Sequence, residues 1–299
     1  EHAYIEPEAG WARRIDDRVE ITVTTQTPYM DRDEIASILG ITPAQVRIRP
    51  TACGGGFGGK LDISVQPLIA IAAWNLNQSV RCIYNRIETM SSTTKRHPSR
   101  IKARYACSSE GKLMAYDFAG DFNTGAYTSW GLTVKDRVPI HATGPYFVPA
   151  LQTKSRAFFT NETPAGAFRG FGVPQAAIAH DALMDMMAEQ IEMDPLEFRY
   201  LNALRDDTPT ATGQLLKSAP LDQCLDALKS DWFSWRTQAV EHNKQQSGAI
   251  RRGVGVGCMW YGCGNTSIPN PSTMKIGINR YGKITLYSGA QDIGQGTNT

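Results

Sequence analysis

Ala52-Cys53-Gly54-Gly55-Gly56-Phe57-Gly58-Gly59-Lys60 is the stretch on which the reading of this chain turns. Six of its nine residues carry no side chain or only a methyl. Glycine permits positive φ and lets a bulky group approach the backbone. Ordering such a segment costs much conformational entropy, so an ordered one implies a purpose. The alternative is a flexible surface loop. Apolar segments flank the stretch closely on both sides and pin it. Val46–Ile48 reads as a brief strand before it, and Ser64–Asn75 as a helix after it, with Val65, Leu68, Ile69 and Ala72 on one face. A strand, a glycine loop and a helix in that order offer backbone N–H groups to an anion or an oxygen-rich ligand.

Upstream, residues 1–10 read as extended chain. Val19–Thr24 alternates Val19, Ile21 and Val23 as a strand does. Asp31 is expected to cap a short helix bearing Ile35, Ile38 and Leu39, stopped by Gly40, and Thr42–Pro43 to open a helical turn. Downstream, Val80–Tyr84, Ile101–Cys107 and Leu113–Thr124 are expected strands, the last two joined at Glu110–Gly111. Asn123–Ala150 is rich in glycine and proline and reads as loop, with Arg137 as a solvated charge within it. Phe158–Thr160 is strand-like.

A second dense motif follows, Pro164-Ala165-Gly166-Ala167-Phe168-Arg169-Gly170-Phe171-Gly172. Pro174 then suits the first turn of a helix with Ile178, Leu183, Met186, Met187 and Ile191 on its apolar face. Asp194 starts another helix, and Leu221, Cys224, Leu225 and Leu228 mark one more. His242–Ser247 reads as a polar linker, which sets a domain boundary near residue 250, with 1–250 and 251–299 on either side. Arg252–Tyr261 is strand-like, and Met274–Ile278 with Lys283–Tyr287 form a hairpin about Tyr281–Gly282. A third strand-to-glycine-loop signal, Ala290-Gln291-Asp292-Ile293-Gly294-Gln295-Gly296-Thr297, comes last.

The composition is that of a soluble globular protein: 299 residues, 41% hydrophobic and 20% charged. A net charge of +2 gives no argument for nucleic acid or an anionic membrane. No apolar run is long enough to span a bilayer. The chain starts at Glu1, which reads as an internal start, processed or subcloned. None of the six cysteines forms a C-x-x-C pair and none of the five histidines has ligand spacing, so reduced thiols and a cytoplasmic location are expected.

Three glycine loops, each after a strand, can converge on one polar cofactor. Gly54, Gly59 and Lys60 come near the spacing of a phosphate-binding loop, but Leu61 stands where a magnesium-binding Ser or Thr is needed. Nucleotide hydrolysis is therefore the weaker reading. The combination resembles the molybdenum-cofactor subunit of the xanthine dehydrogenase/aldehyde oxidase family of molybdenum hydroxylases. Gly54–Lys60 (GGGFGGK), Ala167–Gln175 (AFRGFGVPQ) and Gly294–Gly296 (GQG) carry the resemblance, which extends over essentially the whole chain.

The resemblance implies an α+β molybdopterin-binding subunit of two elongated domains. It implies that Gly56, Phe57, Gly58, Ala167, Phe168, Arg169, Gly170, Gln295 and Gly296 bind the cofactor, and that the Phe57 and Arg169 backbone amides face the oxygen ligands of molybdenum. Molybdopterin is expected in its plain or cytosine dinucleotide form. Phe171 would be one of two aromatics around a planar substrate. Trp260 and Tyr261 lie near the right region for the second, and core packing is the alternative for both. Counting back from AFRGFG without gaps puts Arg137 at the family's substrate-orienting arginine. Purine-oxidising members carry glutamate where this chain has Leu61, so the pocket reads as mixed, suited to an aldehyde or a carboxylated N-heterocycle.

The family's catalytic glutamate motif does not occur here, so no catalytic residue is assigned, and the chain resembles the middle of such a subunit. Iron–sulfur and flavin partners, the remainder of the molybdenum subunit, and no turnover by the chain alone are the expectations that follow. A non-catalytic scaffold subunit of such a complex is the remaining alternative.

Overall fold

The computed structural model describes residues 1–264, 269, 271–297 and 299. It is α+β. Strands β1 (Ala9–Ile15), β2 (Arg18–Val23), β3 (Val46–Pro50) and β4 (Val80–Ile83) form a sheet of order β3-β2-β1-β4. β2 and β3 run parallel, joined by helix α1 (Pro28–Leu39), while β1 is antiparallel to both its neighbours. The alternation of β2 sends Val19, Ile21 and Val23 into a core shared with Ile35 of α1 and with Ile69, Ala70 and Ala73 of helix α2 (Gln66–Leu76).

A second sheet holds β5 (Ser99–Cys107), β6 (Leu113–Gly125) and β7 (Ala150–Phe159), with β6 parallel to β7. Between the sheets in sequence lies helix α3 (Arg86–Ser92), started by an Asn85–Glu88 capping box. Helices α4 (Gly131–His141) and α5 (Val173–Gln190) cover the second sheet through Val138, Ala142 and Ala176. A third apolar cluster joins α5 to helices α6 (Pro195–Asn202) and α7 (Leu221–Gln245), and residues 254–258 run back across it. Asp194 caps α6 as expected, accepting from the N–H groups of Leu196 and Glu197. The hairpin β8 (Lys275–Ile278)–β9 (Ile284–Tyr287) also forms as expected, its turn held by the Asn279 side chain.

Several expectations are corrected. β1 lies inside the first sheet, where extended chain was expected up to residue 10 and no element over 11–15, because Arg13 and Arg14 hide its alternation; Arg13 pairs with Glu20 across the strands. Asp31 does not cap α1. The helix begins at Pro28, and Asp31 is buried within it, accepting from Gln66 at 3.2 Å. On α2, Leu68 is exposed and Ala70 and Ala73 face the core. The expected loop over 123–150 contains α4, whose Gly131 and Pro139 read as breakers in sequence. β7 starts at Ala150 rather than Phe158. Ile178 and Met186 face outward on α5, and Met184 takes the core position. α7 absorbs His242–Gln245 from the expected linker. Among the described residues, neither 252–261 nor 290–297 forms a strand.

Candidate functional site

The first two glycine loops meet back to back. Arg169 N–H donates to the Phe57 carbonyl at 2.8 Å, and a Cβ on Gly58 would lie 2.7 Å from the Ala167 oxygen. Only glycine fits there, and Gly58 also has φ of 101°. Phe57 and Phe171 sit in the left-handed region at 52° and 46°, a conformation non-glycine residues adopt at a cost. Three further contacts hold this junction. The Gln26 carboxamide oxygen accepts from Gly58 N–H at 2.9 Å and Lys60 N–H at 3.3 Å. The His2 ring is 2.7 Å from the Ala167 oxygen through Nε2, which donates. Arg96 donates to the Arg169 carbonyl at 2.6 Å, and its guanidinium lies 4.0 Å over the Phe168 ring.

The junction lines a cavity of about 1050 Å³. Phe57, Gly58, Leu61, Arg137, Ala167, Phe168, Arg169, Gly170, Phe171 and Gln295 all border it. Gly56 and Gly296 do not: Gly56 is buried behind the loop against Gln26, and Gly296 is turned within its own loop, where its N–H meets Asp292 at 3.3 Å. The N–H groups of Phe57, Phe168 and Gly170 have no acceptor among the described residues. That of Arg169, expected to face a metal ligand, is taken by Phe57. Lys60 turns away from the cavity. It is 3% exposed, and its ammonium pairs with Glu6 at 3.0 Å over the Tyr4 ring. A lysine so engaged cannot reach a phosphate, which removes the nucleotide reading of this loop.

Arg137, a solvated loop charge by its local sequence and a pocket residue by the family resemblance, is 3% exposed on α4 and faces the cavity. One terminal nitrogen donates to the Gly262 carbonyl at 2.6 Å, and the guanidinium stacks 4.3 Å over Tyr261. Its Nε has no partner, and among the described residues no carboxylate pairs with it. Leu61 borders the same space, whereas Asp62 turns back to accept from Ser129 at 2.8 Å, and burial pushes its carboxyl pKa up. Trp130 and Tyr261 complete the wall; Trp130 meets Phe171 edge-on at 6.1 Å. Of these two, Tyr261 was weighed in sequence and Trp130 was not. Gln26 and Arg96 were also missed, and nothing local in the sequence marks them. No cluster of three or more His, Cys, Asp or Glu side chains suited to a metal occurs among the described residues.

Residues 1–203 match the family described as molybdopterin cofactor-binding domain, and residues 227–299 match the second domain of that description. The chain belongs to this molybdopterin-binding family. Its relatives are of the xanthine dehydrogenase/aldehyde oxidoreductase type. The nicotinate dehydrogenase large molybdopterin subunit of Eubacterium barkeri is 38% identical over 219 residues, 73% of this chain and 52% of that protein. The xanthine dehydrogenase molybdenum-binding subunit of Escherichia coli O157:H7 is 34% identical over 307 residues, 100% of this chain and 40% of that protein. The solved structure of aldehyde oxidoreductase from Desulfovibrio gigas matches with a TM-score of 0.90 at 29% identity, covering 99% of this chain and 32% of that one. The chain thus spans between about a third and a half of these three proteins. Among the described residues, no helix is long and apolar enough to cross a membrane.

Proposed function

We propose that this molybdopterin-binding chain is part of a hydroxylase that oxidises a carboxylated N-heterocycle or an aromatic aldehyde, with oxygen from water. The observation that carries the substrate class is Arg137, a buried guanidinium in the cavity wall with no carboxylate partner among the described residues. Burying an unpaired charge costs several kcal/mol. A substrate carboxylate or carbonyl offsets that cost through charge-assisted hydrogen bonds to the planar fork. Leu61 faces the same space and offers nothing to the polar edge of a purine, which would lose water without a partner at about 1–3 kcal/mol. Phe171, Tyr261 and Trp130 in the cavity wall supply apolar aromatic surface for a ring. The nicotinate dehydrogenase relative supports the same choice.

The residues present suit molybdopterin. The cavity is bordered by unpaired backbone N–H groups from two loops, with Gln295 from the third, and it has no cluster of metal-ligating side chains among the described residues. A metal entering it must bring its own organic ligands. When bound, the group supplies a two-electron oxidation. The chain's part is to bind and orient: Phe57, Phe168 and Gly170 with their N–H groups, Gly58 and Ala167 by close backbone approach, and Gln295 at the far end. Gly56 and Arg169 hold the loops in shape, and Gly296 shapes the third loop. Residues 1–250 form most of a first cofactor-binding domain and 251–299 the start of a second. The pterin is plain or a cytosine dinucleotide, iron–sulfur and flavin groups sit on partner chains or domains, and the assembly is cytoplasmic.

The test is the ratio of kcat/KM for nicotinate, benzaldehyde and xanthine in the complete enzyme. Wild type is expected to favour the first two. Arg137→Met should lower nicotinate turnover about tenfold to a hundredfold more than benzaldehyde turnover, and Leu61→Glu should move preference towards xanthine by about tenfold. Strong wild-type preference for xanthine, with Arg137→Met affecting all three equally, would rule out this pocket.

A further inference from the structure

His141 is fully buried one helical turn beyond Arg137 and does not touch the cavity. Its Nδ1 lies 3.1 Å from the Arg137 carbonyl oxygen, and its Nε2 lies 3.3 Å from the Gly262 amide nitrogen. A carbonyl can only accept and an amide N–H can only donate, so both contacts require the neutral ring with its proton on Nδ1. Gly262 in turn offers its carbonyl to the Arg137 guanidinium at 2.6 Å. The circuit closes from the Arg137 backbone through His141 and Gly262 to the Arg137 side chain. The His141 ring also stacks on Trp260 at 4.4 Å, and Tyr261, between Trp260 and Gly262, carries the guanidinium on its face.

We propose that His141 is a positioning residue for substrate selection: it fastens the 260–262 segment to α4 and so fixes the direction in which Arg137 and Tyr261 face the cavity. The inference rests on the reading of Arg137 as the substrate-carboxylate partner. Arg137 has several rotatable bonds, and a carboxylate is recognised well only when the fork is held ahead of binding. Without the ring nitrogen at Gly262, that segment keeps only the Arg137 guanidinium itself as a hydrogen-bonded tie to α4, and the acceptor and aromatic platform of that guanidinium are free to shift with it. A neutral aldehyde, which makes no use of the fork, is indifferent to the loss.

The experiment measures kcat and KM for nicotinate and benzaldehyde in the complete enzyme, together with calorimetric nicotinate binding, which needs no turnover. Wild type is compared with Arg137→Met, His141→Leu, His141→Gln and His141→Asn. His141→Leu is expected to raise KM and Kd for nicotinate about tenfold while changing benzaldehyde kcat by less than about twofold. His141→Gln, whose amide oxygen reaches the Gly262 N–H, should recover most of the loss. His141→Asn, too short to reach it, should not. Wild-type nicotinate binding in His141→Leu, with binding lost in Arg137→Met, overturns the role of His141 and leaves the reading of Arg137 standing. Unchanged nicotinate binding in Arg137→Met overturns that reading itself. An equal fall in kcat for both substrates, with KM untouched, marks His141 as a general structural residue and overturns the inference. Should the leucine variant fail to fold, equal nicotinate Kd values for the Gln and Asn variants would do the same.

Discussion

The first two glycine loops and the third give the same kind of signal in sequence, and they have opposite supports. Loops 52–60 and 164–172 are fastened by residues far away in sequence: Gln26, His2 and Arg96 each bond a backbone atom in one of them, and the loops bond each other through Arg169 and Phe57. Loop 290–297 is fastened from within. Gly294 and Gly296 donate to Asp292, and the Gln295 side chain bonds Gln291 and Ile293, all within four residues. Gly58 of the first loop is there because the Ala167 backbone of the second lies against it. Gly294, with φ of 109° and no atom near its missing Cβ, is there for its own conformation. Composition alone does not separate these cases; the neighbour does.

Gly58→Val tests the contrast hardest. It combines a disfavoured φ with a clash against the Ala167 carbonyl, which belongs to rigid backbone. Left-handed strain and overpacking together predict a loss of about 4 kcal/mol, read by denaturant unfolding, with the cofactor content of the complete enzyme falling in parallel. Wild-type stability and occupancy in this variant would mean that the loops do not meet.

Asp31, packed behind the first loop on α1, makes that region respond to pH. Burial raises its pKa from 3.8 to about 6, although Thr25 and Gln66 hydrogen bonds oppose the shift. A carboxyl with a raised folded pKa contributes stability that is full below its unfolded value and lost as pH rises through the folded one. About 3 kcal/mol should therefore disappear between pH 4 and pH 6. The measurement is unfolding free energy against pH for wild type and Asp31→Asn; the variant's curve should be flatter in that window by this amount. Parallel curves would mean that Asp31 titrates normally.

Gln26→Leu keeps the volume and removes one acceptor shared by two N–H groups. Because leucine offers the Gly58 and Lys60 N–H groups no acceptor, a loss of about 2 kcal/mol is expected. Thermal unfolding is the readout, and an unchanged midpoint would show that the loop's contacts to Arg169 and Glu6 hold it without the Gln26 side chain. The smallest effect belongs to Gly294→Ala. It meets conformational strain and no clash, for about 1 kcal/mol. If it costs as much as Gly58→Val in the same assay, the third loop is packed as the first two are.

What could be read from the sequence lies within short windows. Glycine density with an embedded aromatic marked the first two loops, Gly294-Gln295-Gly296 marked the third, the alternation of Val19, Ile21 and Val23 marked β2, and Tyr281–Gly282 marked the β8–β9 turn. These depend on backbone preference and side-chain period, which neighbouring residues settle among themselves. α4 escaped because Gly131 and Pro139 are locally unfavourable to a helix, and its packing through Val138 and Ala142 onto the second sheet outweighs that. Asp31 escaped because a carboxylate near a helix start is normally a solvated cap, and only the arrival of Gln66, 35 residues on, encloses it. The residues of the cavity wall were placed only through the family resemblance, and its supports Gln26 and Arg96 escaped altogether. Gln26 reaches Gly58 across 32 residues, Arg96 reaches Arg169 across 73, and Arg137 reaches Gly262 across 125. Local propensity carries no information about such partners. They meet only when the sheets and helices have closed over their cores, and that closure turns Arg137 from an apparent surface charge into the buried cation of the site.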